Sequence, residues 1–299
     1  MKISVALFLS LFLSSVSVYA KEIKVFVSIE PQKFFVQSIA GENVEVYTMV
    51  KPGASPATYE PTPKQMALLS ESSLFFSIGV PFEKNFLPKL KQVVKGIRII
   101  DTSSGIPLRK MDSSFLSENK DMMKTHDDHG HSGGEGFDPH IWLNPGFVEI
   151  QAATIADALI KIDPDKKEIY TKNKEEFITK LKALDNELKN ILAPVKGKTF
   201  MVFHPAWGYF ADAYGLKQFS VEVEGKEPKA RQLARIIERA EKEDIRAVFV
   251  QSQFSRRLAE KIADSIGGKV ISVNPLAYNY FQNMKAVAEK VSEALRGQK

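Results

Sequence analysis

The sequence predicts an α/β protein of two lobes, each a roughly four-stranded parallel sheet with flanking helices, joined by one long rigid helix. Three observations predict it. Short apolar runs rich in Val, Ile and Phe alternate with helix-period segments over the first hundred residues. The same alternation resumes after residue 198. Between the two regions, residues 167–192 place Tyr170, Phe177, Leu181, Leu184, Leu188 and Leu192 at three- and four-residue steps, the longest helical pattern in the chain. Strands that alternate with helices argue for parallel pairing, because each return to the same edge needs a crossover.

The elements follow in order. Residues 22–29 (EIKVFVSI) read as a buried strand, followed by a helix over 32–40. Residues 44–50 (VEVYTMV) alternate as a second strand and end before Pro52-Gly53. A helix over 64–70, a strand over 74–78, a helix over 82–94 and a strand over 97–100 complete the first lobe. Residues 110–136 hold Ser, Asn, Asp, His and Gly without apolar periodicity, and read as a mobile loop. Order returns at Phe137-Asp138-Pro139-His140, with a helix over 147–161. Pro194 and Gly197 punctuate the end of the long helix. Strands over 199–203, 218–223, 247–251 and 270–273 then alternate with helices over 230–242, 255–266 and 281–295. The expected division is a signal peptide over 1–20, a first lobe over 21–147, connecting helices over 148–197 and a second lobe over 198–299.

The 299 residues are 44% hydrophobic and 26% charged, an ordinary globular balance. The net charge of +5 is spread, with Lys and Arg interleaved among Asp and Glu, so no basic block supports nucleic-acid binding. Met1-Lys2, an apolar run over 3–18 and the small residues Val18 and Ala20 make a cleavable signal peptide. That run, broken by five serines, is short of the roughly 20 residues of a membrane span. There is no cysteine, which removes disulfides, thiolate metal ligands and a lipid-attachment site. A free, non-lipidated periplasmic protein is the expected form.

Histidine is scarce, five in all, and its placement is informative. In open α/β sheets ligands bind beyond the carboxyl ends of strands. His204 directly follows the strand TFMVF, and Asn274 directly follows KVISV, at the same end of the second lobe. His140 lies where the first lobe hands over to the connecting helices. The proline-rich loop over 52–63 follows VEVYTMV at a carboxyl edge of the first lobe. His126, His129 and His131 lie in THDDHGHSGGEG, a metal-binding composition suited to gathering ions for a firmer site. Neutral imidazole is the commonest metal ligand near neutral pH, so a divalent cation held between two lobes is the chemistry these residues point to.

Four segments carry a resemblance. GASPATYEPTPKQM, FDPHIWLNP, FHPAWGYF and NPLAYNYFQNM resemble the signature segments of the zinc/manganese-type substrate-binding proteins of bacterial ABC uptake systems, zinc-binding periplasmic branch. The likeness runs from about residue 22 to the C-terminus. It implies two lobes joined by a long helix, a monomer, a cation held between the lobes, and a membrane permease and ATPase as partners. It implies no enzymatic activity. The family's ligands are His in the first segment, His in DPH, His or Glu in the third, and Asp opening the fourth. His140 and His204 match, and His204 in place of Glu favours Zn²⁺ over Mn²⁺.

Two positions depart. Ala57 stands where the first histidine is expected and cannot coordinate, and Asn274 offers a neutral amide where a carboxylate is expected. The expected metal set is therefore His140, His204 and Asn274, with Glu60, His126, His129 and His131 as auxiliary candidates. Trp142 and Trp207, beside the two histidines, are expected either to shield the site or to fill the core. Pro81-Phe82-Glu83 reads as packing and lobe surface. Two other functions fit the departures: a binding protein for a metal chelate or other small ligand, and a metal-dependent hydrolase with an open zinc position. No HExxH or comparable helix motif supports the latter.

Overall fold

A computed structural model describes residues 23–111, 136–222 and 226–298. The expected signal peptide, and the expected loop beyond its two ends, lie outside the described residues. In the first lobe β1 (Ile23–Val27), β2 (Val44–Thr48), β3 (Leu74–Ser77) and β4 (Arg98–Asp101) pair in parallel in the order β2-β1-β3-β4. In the second, β5 (Thr199–Val202), β6 (Lys217–Ser220), β7 (Ala247–Val250) and β8 (Lys269–Ser272) repeat that order as β6-β5-β7-β8. The crossovers are α1 (Glu30–Ala40), α2 (Pro63–Ser70) and α3 (Pro81–Val93) in the first lobe. Then come α4 (Pro145–Ile162) and α5 (Lys167–Leu192), and in the second lobe α6 (Gly208–Tyr214), α7 (Ala230–Lys242), α8 (Arg256–Ser265) and α9 (Tyr280–Arg296). The helix α6 was not expected, because seven residues span too few turns to show a period.

The 26-residue α5 buries the apolar stripe that its periodicity marks, from Tyr170 to Leu192. It packs on α4, on α1 of the first lobe and on α9 of the second. Behind the interlobe space Phe35 and Tyr280 meet edge-to-face at 5.1 Å, Phe34 and Phe281 at 5.5 Å, and Phe177 and Phe281 at 5.8 Å. Trp142 Nε1 donates to Pro275 O (2.7 Å) and Tyr280 Oη donates to Trp142 O (2.8 Å). One apolar core thus runs through both lobes.

In both sheets the chain turns outward from the first strand and then crosses to the other side, which opens a crevice at the carboxyl ends of the two central strands. The first lobe fills its crevice. Gln32 Nε2 reaches Thr102 Oγ1 (3.1 Å), and Ser28 N donates to Gln32 Oε1 (3.0 Å). Ile78 N (3.0 Å), Gly79 N (2.8 Å) and the Ser28 hydroxyl all donate to the Glu83 carboxylate. Glu83, read with Pro81 and Phe82 as packing and lobe surface, faces inward and is 3% exposed. The first turn of α3 tucks it under Gly79, whose φ of 88° suits glycine.

Burial pushes the Glu83 carboxyl up to about 7, against the three donors that pull it down. Folded Glu83 therefore keeps a proton that the unfolded chain loses from about pH 4.5 upward. Stability contributed by this group is lost as pH rises through that window, by on the order of 3 kcal/mol at most. Glu83→Gln, which cannot ionise, is expected to flatten the fall in stability between pH 5 and 8 in urea titrations. An equal slope in the two proteins would refute the assignment.

Candidate metal centre

The second lobe leaves its crevice open. His204 stands just beyond β5 and Gln251 directly beyond β7, so both central strands deliver a polar side chain to the interlobe space. His140 arrives from the opposite side, on the extended segment 138–140 that leads into the 3₁₀ turn Ile141–Leu143 and α4. The loop after β2 contributes Ser55, Pro56 and Ala57, and the segment after β8 contributes Pro275 and Leu276. Together these enclose a cavity of about 70 Å³, walled also by Val80, Met111, Trp142 and Phe254.

The two imidazole rings lie 5.3 Å apart, centre to centre, at 72°. A tetrahedral zinc about 2.0–2.1 Å from one nitrogen of each ring would hold two such centres roughly 5 Å apart. Each ring is also oriented from behind. His140 Nδ1 lies 2.7 Å from Asp138 Oδ1, which also accepts from the His140 backbone N–H (3.0 Å). His204 Nδ1 is bonded to the Glu222 carboxylate, and its ring stacks on Phe254 at 5.0 Å. An ionised carboxylate only accepts, so it holds the proton on Nδ1 and leaves Nε2 with a free lone pair on each ring. Burial pushes the His140 pKa down, more than Asp138 pulls it up, which keeps this ring neutral and ready to coordinate.

Asp138 is itself braced across the lobes. Arg109 Nη1 lies 3.7 Å from Asp138 Oδ2, and Arg109 Nε lies 3.3 Å from Asp212 Oδ2. Tyr209 Oη accepts from Arg109 N (2.9 Å) and donates to Asp138 O (2.9 Å). Gly208 permits this arrangement, since a Cβ there would lie 1.4 Å from Arg109 Nη1. Outer partners of this kind are commonly worth 10–100-fold in metal affinity. Glu222→Gln is expected to weaken zinc by about that 10–100-fold, read by competition with a fluorescent chelator. An affinity within about two-fold of the parent would show that Glu222 does not orient His204.

The other expected residues are placed as follows. Ala57 lines the cavity on its exposed rim. Asn274 does not join the two histidines: its Oδ1 accepts from Leu276 N (2.9 Å) in a tight local turn, and it lines an adjoining pocket with Glu30, Lys51 and Tyr278. Glu60 is exposed and is not among the cavity residues, because the chain there turns away into α2, capped by Thr62 and Gln65. His126, His129 and His131 lie outside the described residues. Among the described residues no third His, Cys, Asp or Glu converges with the pair. Trp142 lines the cavity, whereas Trp207 is core, packed on Phe210.

Four residues escaped sequence reasoning: Glu222, Gln251, Gln253 and Phe254. Gln251 was open to the rule that found His204, since it too directly follows a central strand. Gln251 is 4% exposed, and among the described residues its Nε2 meets no hydrogen-bond partner; nor does the buried Gln253 Oε1. Unsatisfied buried amides cost about 1–3 kcal/mol each, so their presence in a cavity calls for an explanation.

The model of a zinc-uptake complex component A, periplasmic, matches residues 25–294. The chain belongs to the ZnuA family. ZnuA of Bacillus subtilis, a high-affinity zinc uptake system protein, is 30% identical over 252 residues, 82% of this chain and 76% of its own. The zinc-binding protein AdcA of Streptococcus pyogenes serotype M3 is 28% identical over 275 residues, 89% of this chain. This chain spans about half (52%) of that relative's length. A crystal structure of ZnuA superposes with a TM-score of 0.81 at 39% identity, covering 91% of this chain and 99% of that one. A zinc-bound ZnuA deletion mutant gives 0.82 at 38% identity, covering 92% and 98%. The two-lobed fold read from the strand and helix pattern is thus shared with ZnuA structures.

Proposed function

We propose that this chain is an exported solute-binding protein that captures a divalent cation, zinc in preference to manganese, and delivers it to the permease and ATPase of an ABC-type uptake system. The observation that carries this reading is the pair His140 and His204, each fixed through Nδ1 by a carboxylate, with ring centres 5.3 Å apart in one cavity. Nitrogen donors favour zinc, whereas manganese prefers oxygen. The names of the ZnuA and AdcA relatives point the same way.

A hydrolase would need a general base beside an open metal position. The nearest carboxylates, Asp138 and Glu222, are instead engaged on the far nitrogens of the histidines. The reading includes a monomer, since one chain supplies both walls of the cavity. It also includes an unlipidated periplasmic form, supported by a sequence without cysteine. Equilibrium dialysis against Zn²⁺, Mn²⁺ and Ca²⁺ tests it. Binding of a single zinc per chain, with manganese far weaker, is expected. Failure to retain zinc, or equal retention of manganese, would overturn it.

A further inference from the structure

The proposed capture site has room and polar groups that a bare cation leaves unused. We infer that the cation is taken as a complex with a small amino-acid-sized chelator, an amine and a carboxylate on one short carbon frame. This rests on the metal-binding reading above and specifies its substrate. Three independent observations lead to it. First, zinc takes four donors, and among the described residues only His140 and His204 offer strong ones here; Ala57 leaves its side of the cavity without a ligand. Two open positions on one side of a cation suit a bidentate chelator.

Second, the space is too large for an ion and its water. The cavity measures about 70 Å³, whereas a single water takes roughly 10–15 Å³ on the same scale. Much of its wall is apolar, including Pro56, Val80, Pro81, Phe254 and Leu276, which favours a carbon frame over a shell of waters.

Third, the unpartnered amide groups have the right chemistry for both ends of such a ligand. Gln251 Nε2 is a buried donor and cannot bind a cation; it requires an acceptor. Gln253 Oε1 is a buried acceptor in the same cavity. A metal-bound amino acid presents a carboxylate oxygen not engaged on the metal, which accepts from Gln251, and amine hydrogens, which donate to Gln253. The zinc then has two imidazole nitrogens from the protein, and an amine nitrogen and a carboxylate oxygen from the chelator. The chelator's ammonium group gives one proton to solvent as its nitrogen takes the zinc, and apart from that only coordination bonds form.

The test turns on a sign. Zinc affinity of the full chain is measured against free Zn²⁺, in buffered metal, with and without glycine or L-histidine. At a site for the bare ion the amino acid leaves that affinity unchanged or lowers it. At a site for the complex the affinity rises, by about ten-fold or more. Gln251→Leu is expected to shrink the rise. Ala57→His, which places a protein ligand in the open side, is expected to abolish it. Zinc binding that depends on His140 and His204, yet does not strengthen with either amino acid, would overturn the chelate inference and leave the metal-binding reading intact. No zinc binding under either condition would overturn both. A rise equally large in Ala57→His would also count against this location for the chelator.

Discussion

His140→Ala and His204→Ala are each expected to weaken zinc by about 1,000-fold, about 4 kcal/mol, in chelator-competition titrations. A structural zinc site with four protein ligands gains about 10–16 kcal/mol in total, or roughly 2.5–4 kcal/mol per ligand. Among the described residues two side chains carry the protein's share, so each is expected to count for about that much. Either single replacement leaves one imidazole, and the second replacement is expected to add little to a site already lost. Neither change should unfold the chain, because His140 and His204 stand at the cavity wall while the cores of the lobes pack behind them. Circular dichroism at matched temperature separates the two effects. Full zinc affinity in either folded variant would remove that histidine from the site.

Trp142→Ala is expected to lower stability by about 3–5 kcal/mol in urea denaturation of the zinc-free chain. The indole is 1% exposed, ties the lobes together through Nε1 to Pro275 O, and packs 5.2 Å from the His140 ring on its own side. Its removal leaves a void and strands the Pro275 carbonyl. Trp142→Phe fills much of the void but cannot donate, so it should cost roughly 1–2 kcal/mol. A loss below about 1 kcal/mol for the alanine variant would mean that this seam is not a principal contact between the lobes. Zinc affinity should fall alongside stability, because His140 loses the ring that packs against it.

Much of the fold was legible because each local pattern agreed with the global one. The Tyr170–Leu192 stripe of α5 has a single solution, a helix buried along that face, and its ends coincide with the sequence reading. The strands were readable from their Val, Ile and Phe runs, with edges displaced by up to three residues, most often where pairing stops before the apolar run does. The helix α6 was too short to show a period.

The site was only half legible. His140 and His204 stood out because histidine is scarce and both sit at strand or turn edges. Glu222, which orients His204, is 18 positions away and looks like any surface glutamate. Glu83 was legible only as packing and lobe surface for a related reason: a carboxylate in a first helical turn is ordinarily solvated, and only the fold brings Ser28 and the Ile78 and Gly79 amides onto it. Asn274 had the right strand-end position, but its short side chain satisfies itself on Leu276 N instead of reaching the cavity.

The seam formed by Phe34, Phe35, Phe177, Tyr280 and Phe281 also constrains how loading can be sensed from outside. Prising the lobes widely apart would wet these rings, each of which buries about 150–250 Å². If the chain loads and releases a cation as proposed, its full and empty forms would differ mainly at the cavity mouth, in the 55–57 loop and the 275–276 segment, while the frame keeps its outline. A docking partner that tells cargo from vacancy has to read the posture of those few residues, and a rigid back wall keeps that small signal from being blurred by bending elsewhere.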